Sequence, residues 1–253
     1  MSTTVKYAYK PGISGNKIAY KNTKGKSITA QFYDNTHSLA NALRETVSGK
    51  KPNITKGELQ KALWNQFNNI AYSGRGDNCD MTIMSRAEKL IDHFAQKDSE
   101  GEGQDIITQK EQFKMMEYWH RWFGYNTSDN KPSYEKDSFD YWQYNSKDAN
   151  GKTTSISFSE EMSHIMKALE QLKNKNSGIT KFELKEAVWN NTSNIYGNRA
   201  DSDNNVALSF EKAEKLIDYY AETISENEAK GIITAKEQKE IINLWTSWYG
   251  QKK

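Results

Sequence analysis

Glu226-Asn-Glu228-Ala-Lys230-Gly231-Ile-Ile233-Thr234-Ala-Lys-Glu237 repeats an earlier stretch, Glu100-Gly-Glu102-Gly-Gln104-Asp105-Ile-Ile107-Thr108-Gln-Lys-Glu111, with 126 residues between equivalent positions. Both carry acids at the first and third positions, isoleucine at the eighth, threonine at the ninth and glutamate at the twelfth. Thr-x-x-Glu is a capping box, in which the hydroxyl accepts from a free N–H of the first helical turn and the carboxylate accepts from the threonine N–H. Ile54 to Glu58 and Ile179 to Glu183 repeat Ile-Thr-x-x-Glu, so four helices are expected to begin the same way. Ile54 with Leu59, and Ile179 with Leu184, add the spacing of a hydrophobic staple.

Working outward, the repeat takes in most of the chain. Lys17 to Lys21 and Ser27 to Tyr33 flank a polar turn, as do Tyr141 to Asn145 and Thr153 to Phe158, and each pair reads as a β-hairpin. An earlier short strand is expected through Val5, Tyr7 and Tyr9. Leu39, Ala42, Leu43, Thr46 and Val47 have helical spacing, as do Ile165, Ala168, Leu169 and Leu172. A second helix carries Leu59, Leu63, Phe67 and Ile70, or Leu184, Val188 and Ile195, with Trp64 and Trp189 in equivalent places. The third contains an identical run, Ala87 to Asp92 and Ala213 to Asp218, extended by Phe94 or Tyr220. The fourth ends in Trp119-x-x-Trp122-Phe-Gly124 or Trp245-x-x-Trp248-Tyr-Gly250, where glycine suits a left-handed helix stop. Residues 125–139 lack periodicity and read as a linker between a first repeat at 1–124 and a second at 140–253.

Two helix–loop–helix elements in succession, with this order of residue types in the second loop, resemble an EF-hand pair. The resemblance implies a mainly α chain of two tandem EF-hand-like four-helix domains; the short β-hairpin that precedes each lies outside the resemblance and is read from the sequence alone. It further implies calcium, held by oxygen ligands at alternate loop positions and closed by a two-oxygen glutamate. In the first repeat the implied ligands are Glu100, Glu102, Gln104, the Ile106 carbonyl, Thr108 and Glu111. In the second they are Glu226, Glu228, the Ile232 carbonyl, Thr234 and Glu237.

The loops depart from the EF-hand pattern in instructive ways. Lys230, all donor and positively charged, stands where a ligand belongs. Glutamate replaces the usual opening aspartate in both second loops, adding a methylene at the first and third positions. The sixth position wants glycine for its positive φ; Gly231 fits, while Asp105 is only tolerated there. In the other two loops the ligand positions are Val47, Gly49 and Lys51, or Leu172, Asn174 and Asn176, which offer a dication no charge. Asp201, Asp203 and Asn205 alternate as calcium ligands do, but Lys212 stands where the closing glutamate would be, so a solvated turn is expected.

Other chemistry is thinly represented. With 35 basic and 33 acidic residues interspersed, the chain shows no nucleic-acid footprint. Cys79 is the single cysteine, so no intrachain disulfide is possible, and acidic neighbours argue against a reactive thiolate. His37, His93, His120 and His164 lack metal-ligand spacing and are expected at the surface or at helix caps. No phosphate loop or nucleophile elbow occurs, so a catalytic role is not expected. Neither a membrane-spanning run nor a signal peptide is visible, and a cytoplasmic location is the expectation.

Aromatic residues make up 12% of the chain, including 7 Trp and 14 Tyr, against a mean hydropathy of −0.93. Aromatics are therefore expected to fill much of the cores. Trp119, Trp122, Trp245 and Trp248 are candidates for extending past the core to a protein or peptide partner. The functional expectation is a non-catalytic EF-hand-like binding or regulatory protein with weak calcium binding at the second loop of each repeat. The alternative is a metal-free helical scaffold for protein–protein interaction, with a glycan-binding module or an enzyme ranking below it.

Overall fold

The computed structural model describes residues 16–32, 36–48, 52–71, 78–97, 101, 103–125, 141–147, 153–173, 178–192, 205–222 and 231–252. The strand expected at Val5 to Tyr9, the linker beyond Tyr125 and the Asp201–Asp203 cluster lie outside these residues. The described residues form mainly α-helix, eight helices with small antiparallel sheets, in two compact units. No helix among them is long and apolar enough to cross a membrane.

In the first unit, β1 (Asn16–Lys21) and β2 (Ser27–Phe32) pair antiparallel from Asn16↔Phe32 to Lys21↔Ser27. Asn22 shapes the turn, its Oδ1 accepting from the N–H groups of Lys24 and Lys26 at 3.1 and 2.8 Å. The helices are α1 (Ser38–Ser48), α2 (Lys56–Ala71), α3 (Asn78–Gln96) and α4 (Gln109–Phe123). Short strands β3 (Ile54–Thr55) and β4 (Ile106–Ile107) precede α2 and α4 and pair with each other. After α4 the chain enters β5 (Gly124–Tyr125), which adds to β2 through Phe32↔Gly124 and Gln31↔Tyr125.

The second unit repeats this order. Its hairpin is β6 (Tyr141–Lys147) and β7 (Thr153–Ser159), followed by a single 3₁₀ turn at Glu160–Met162. Then come α5 (His164–Leu172), β8 (Ile179–Thr180), α6 (Lys181–Asn190), α7 (Asn205–Glu222), β9 (Ile232–Ile233) and α8 (Ala235–Tyr249). Finally β10 (Gln251–Lys252) joins β7 through Gln251↔Ser157 and Lys252↔Ile156.

Each hairpin is thus two strands of a three-stranded sheet whose third strand continues the last helix. This changes the role of the terminal glycines. Gly124 (φ −83°, ψ 155°) and Gly250 (φ −76°, ψ 136°) are extended, not left-handed. Glycine is needed there for close approach: a Cβ on Gly124 would stand 2.6 Å from the His120 carbonyl, and one on Gly250 2.7 Å from that of Thr246. Both N–H groups donate to those carbonyls, so the chain leaves the helix and enters the sheet without a linking turn.

The cores follow the expected periodicity. Leu39, Leu43, Leu59, Leu63, Leu90 and Phe94 are buried in the first unit, and Ile165, Leu169, Leu184, Val188, Ile217 and Tyr220 in the second. Phe32 and Phe158, 126 residues apart, are both fully enclosed. Trp119 and Trp245 occupy the centres, and each indole N–H donates to a carbonyl just before the first helix of its unit, Thr36 at 2.7 Å and Met162 at 2.8 Å. A buried indole needs such an acceptor.

Candidate functional site

The paired loops bring the expected site residues together. Ile54 faces Ile107 and Thr55 faces Ile106 in one unit; Ile179 faces Ile233 and Thr180 faces Ile232 in the other. All four eighth-position isoleucines, Ile54, Ile107, Ile179 and Ile233, are buried. The strand link therefore joins the two helix starts of a pair back to back, as the equivalent placing of the Ile-Thr motifs requires.

Every Ile-Thr-x-x-Glu motif forms its capping box. Thr55, Thr108, Thr180 and Thr234 donate their N–H groups to Glu58, Glu111, Glu183 and Glu237 at 2.8–3.0 Å. The glutamate N–H groups return to the threonine hydroxyls at 3.1–3.3 Å. Burial separates the loops: Glu111 and Glu237 are 3% and 8% exposed, whereas Glu58 is exposed and Glu183 half-buried. Gln112 and Gln238 add a tie in the second loops, donating to the carbonyls of Ile107 and Ile233 at 3.2 Å.

The sixth loop position is the junction of each pair. Asp105 (φ 65°) and Gly231 (φ 89°) both adopt the left-handed conformation. The N–H of Asp105 donates to Ala95 at the end of α3, and its carbonyl accepts from Lys56 at the start of α2, both at 2.8 Å. Gly231 does the same between Ala221 and Lys181, at 2.9 and 2.8 Å. One residue thus satisfies an orphan carbonyl at one helix end and an orphan N–H at another. Aspartate takes this turn as glycine does, because its short polar side chain tolerates positive φ.

Ion pairs reinforce the same junction. Lys56 Nζ lies 3.0 Å from Asp92, and Lys181 and Lys185 lie 2.8 and 2.7 Å from Asp218. A hydrogen bond to Asp92 and its charge raise the Lys56 pKa. At Asp218 burial opposes the charge, but the two lysines outweigh it and hold the carboxyl below its ordinary value.

These observations bear on the implied calcium sites. Glu100, Glu102, Glu226 and Glu228 lie outside the described residues, as does Lys230. Gln104 is exposed, and Ile106, Thr108 and Glu111, with Ile232, Thr234 and Glu237, occupy the loop-to-helix turn. Glu111 Oε2 accepts from both the N–H and the hydroxyl of Thr108, at 3.0 and 3.2 Å. Glu58, in a loop without acidic ligands, accepts from Thr55 in the same way, at 2.9 and 3.2 Å. The described half of the second loop is therefore arranged as a helix start, and a cation would have to compete with those donors. Among the described residues no three His, Cys, Asp or Glu side chains gather as a metal site.

The four candidate tryptophans divide. Trp119, Trp122 and Trp245 are enclosed at 0%, 1% and 0% exposure, while Trp248 reaches the surface at 43%. Lys212 lies over the rings of Trp248 and Tyr249, 4.9 and 5.3 Å from their centroids. Trp64 and Trp189 also part company: Trp64 is half exposed, whereas Trp189 is buried and donates to buried Glu214 at 2.8 Å.

Two of the histidines expected at the surface or at helix caps lie at helix ends, His93 in the last turn of α3 and His164 at the first residue of α5, but are buried there. His93 is buried against Phe94, and His164 lies between Phe210 and Trp245, because an imidazole packs on aromatic faces as readily as it caps a helix. His120, half-buried, meets the Tyr20 hydroxyl at 3.1 Å; burial lowers the imidazole pKa and raises that of the phenol to about 12. Comparison of the chain with family models, curated proteins and solved structures finds no match.

Proposed function

We propose that the chain is a non-catalytic binding protein made of two EF-hand-like repeats whose loop pairs hold the helices without metal. The observation that carries this reading is the shared junction: the left-handed residue, the Ile–Ile strand link and the capping boxes recur in both repeats. They link loops with acidic ligand candidates to loops without any. Intact helix junctions leave the outer helix faces as the surfaces on which the repeats can differ. A thermal melt of the full chain in chelator and in millimolar calcium tests the metal-free arrangement. Identical melting temperatures are expected, together with no heat on calorimetric titration.

A second reading keeps weak calcium binding at the second loops, residues 100–111 and 226–237. It is favoured by the positive φ at Asp105 and Gly231, the turn that a calcium loop requires at its sixth position. Under this reading calcium raises the melting temperature and Glu111→Gln abolishes the rise. Under the metal-free reading Glu111→Gln is nearly silent, since an amide oxygen still accepts from Thr108.

A further inference from the structure

The two repeats differ on the outer face of their third and fourth helices. In the second repeat Leu208, Lys212, Lys215 and Tyr219 follow one another at helical spacing along α7 and all are exposed, Leu208 at 59% and Tyr219 at 64%. Lys212 reaches over Trp248, and Leu244, one turn earlier on α8, is 36% exposed. Large apolar side chains thus lie on adjacent, solvent-facing stripes of two helices. The equivalent positions of the first repeat tell another story. Arg86, His93, Tyr118 and Trp122 stand for Lys212, Tyr219, Leu244 and Trp248, and they are 4%, 6%, 5% and 1% exposed. Lys89, which stands for Lys215, is exposed as its counterpart is, so these four positions are covered in the first repeat and open in the second while the lysine is open in both.

Charge indicates what could cover the open face. Of the acids bordering the face, Asp218 and Glu222 are engaged with Lys181, at 2.8 and 3.8 Å, and Glu240 with the Tyr220 hydroxyl, while Glu211, beside Lys212, is half-buried and not without a partner. Lys215 makes no ion pair among the described residues, and Lys212 rests on aromatic rings. Two lysines between exposed leucines and aromatics repel a second copy of the same face and attract carboxylates. We infer that the Leu208–Tyr219 stripe of α7, with Leu244 and Trp248 of α8, docks an acidic amphipathic helix of a partner protein. Its apolar side chains pack against Leu208, Trp248 and Tyr219 while its carboxylates meet Lys212 and Lys215, the helix-in-groove mode of recognition. This names the partner chemistry of the binding protein proposed above and rests on that reading.

The test uses the full chain and two synthetic helical peptides with leucine at i, i+4, i+7 and i+11, one with glutamate and one with lysine at the charged positions. Binding is followed by tryptophan emission and calorimetry. The acidic peptide is expected to bind and shift the emission, with affinity falling about tenfold in Lys212→Glu/Lys215→Glu. Binding is expected to be lost in Leu208→Ser and Trp248→Ser and kept in Trp64→Ala, whose indole is exposed in the other repeat. Each variant is checked by circular dichroism, and Leu208→Ser carries the test if Trp248→Ser fails to fold. Preference for the basic peptide, or acidic binding indifferent to the charge reversal, overturns the assigned chemistry and leaves a binding protein standing. Absence of binding by either peptide overturns the docking face, while the metal-independent melt is judged separately. A concentration-dependent dimer dissolved by Leu208→Ser also overturns it, since the occupant would then be a second copy.

Discussion

Replacing Gly231 by alanine tests the junction on which both loop pairs depend. Gly231 sits at φ 89° with its N–H and carbonyl both committed, and nothing lies within 4 Å of the place a Cβ would take. The cost is therefore one of backbone conformation, not of clash. Holding an L-residue left-handed costs about 1–2 kcal/mol, and the stiffer unfolded chain of alanine returns about 0.4–1 kcal/mol. The net loss is about 1 kcal/mol. Asp105, at φ 65°, offers the reverse experiment. Asp105→Gly relieves the strain and adds unfolded-state entropy, so the two terms oppose and the change is a gain of at most about 1 kcal/mol. Urea unfolding of the full chain, followed by tryptophan emission and circular dichroism, reads both. A lower midpoint at unchanged slope is expected for Gly231→Ala and no lower midpoint for Asp105→Gly. A Gly231→Ala chain as stable as the parent would refute the strained junction. A loss of about 2 kcal/mol or more in Asp105→Gly would show that the loop needs the carboxylate itself, since a backbone turn alone gives no such loss.

Three further outcomes follow from the same geometry. Gly124→Ala places a Cβ 2.6 Å from the His120 carbonyl, so its melt should show a loss of about 1–3 kcal/mol; Gly57→Ala, in open space in the first turn of α2, should gain about 0.5–1 kcal/mol. Trp189→Phe strips buried Glu214 of an indole donor and should cost about 1–3 kcal/mol by denaturant titration, whereas Trp64→Phe, half exposed, should stay within about 0.5 kcal/mol. Stability should fall in acid: Asp218 and His120 both have lowered folded pKa values, so each takes up a proton on unfolding. Their contributions are complete above the ordinary carboxyl and imidazole values and are lost as pH falls through the folded ones. Melting temperature against pH for the parent, Asp218→Asn and His120→Gln checks this, each variant flattening its own limb.

The periodic parts of this fold were legible because the chain wrote them twice. Helix stripes such as Leu59–Leu63 and Ile165–Leu169, the hairpins and the four capping boxes rest on local spacing, and each is where that spacing puts it. The third strands were not legible. Gly124–Tyr125 and Gln251–Lys252 are too short to show alternation, and a glycine after a helix reads equally as a left-handed stop or as a point of close approach. Only the atoms around Gly124 and Gly250 decide between the two. The junction was half legible: Gly231 announced positive φ, and Asp105 hid the same turn behind a carboxylate suited to a ligand.

The aromatic positions show why sequence equivalence predicts frame and not surface. Trp119 and Trp245 are equivalent in sequence, in burial and in the carbonyl each indole meets, because the first helix entry of both repeats runs beneath the last helix. Trp64 and Trp189 are equally matched in sequence, yet Trp189 is buried and donates to buried Glu214, while Trp64 is half exposed and the first-repeat counterpart of that glutamate, Glu88, is half-buried. Trp122 and Trp248 diverge again, enclosed in one unit and lying open beneath Lys212 in the other. What the repeats share is the scaffold, in which the capping boxes, the strand links, the left-handed turns and the central indole bonds each have a twin about one repeat length away. Apart from the buried Trp189–Glu214 pair, the aromatic differences fall on the outer faces of the helices, where no twin holds a residue in place and a partner can select it.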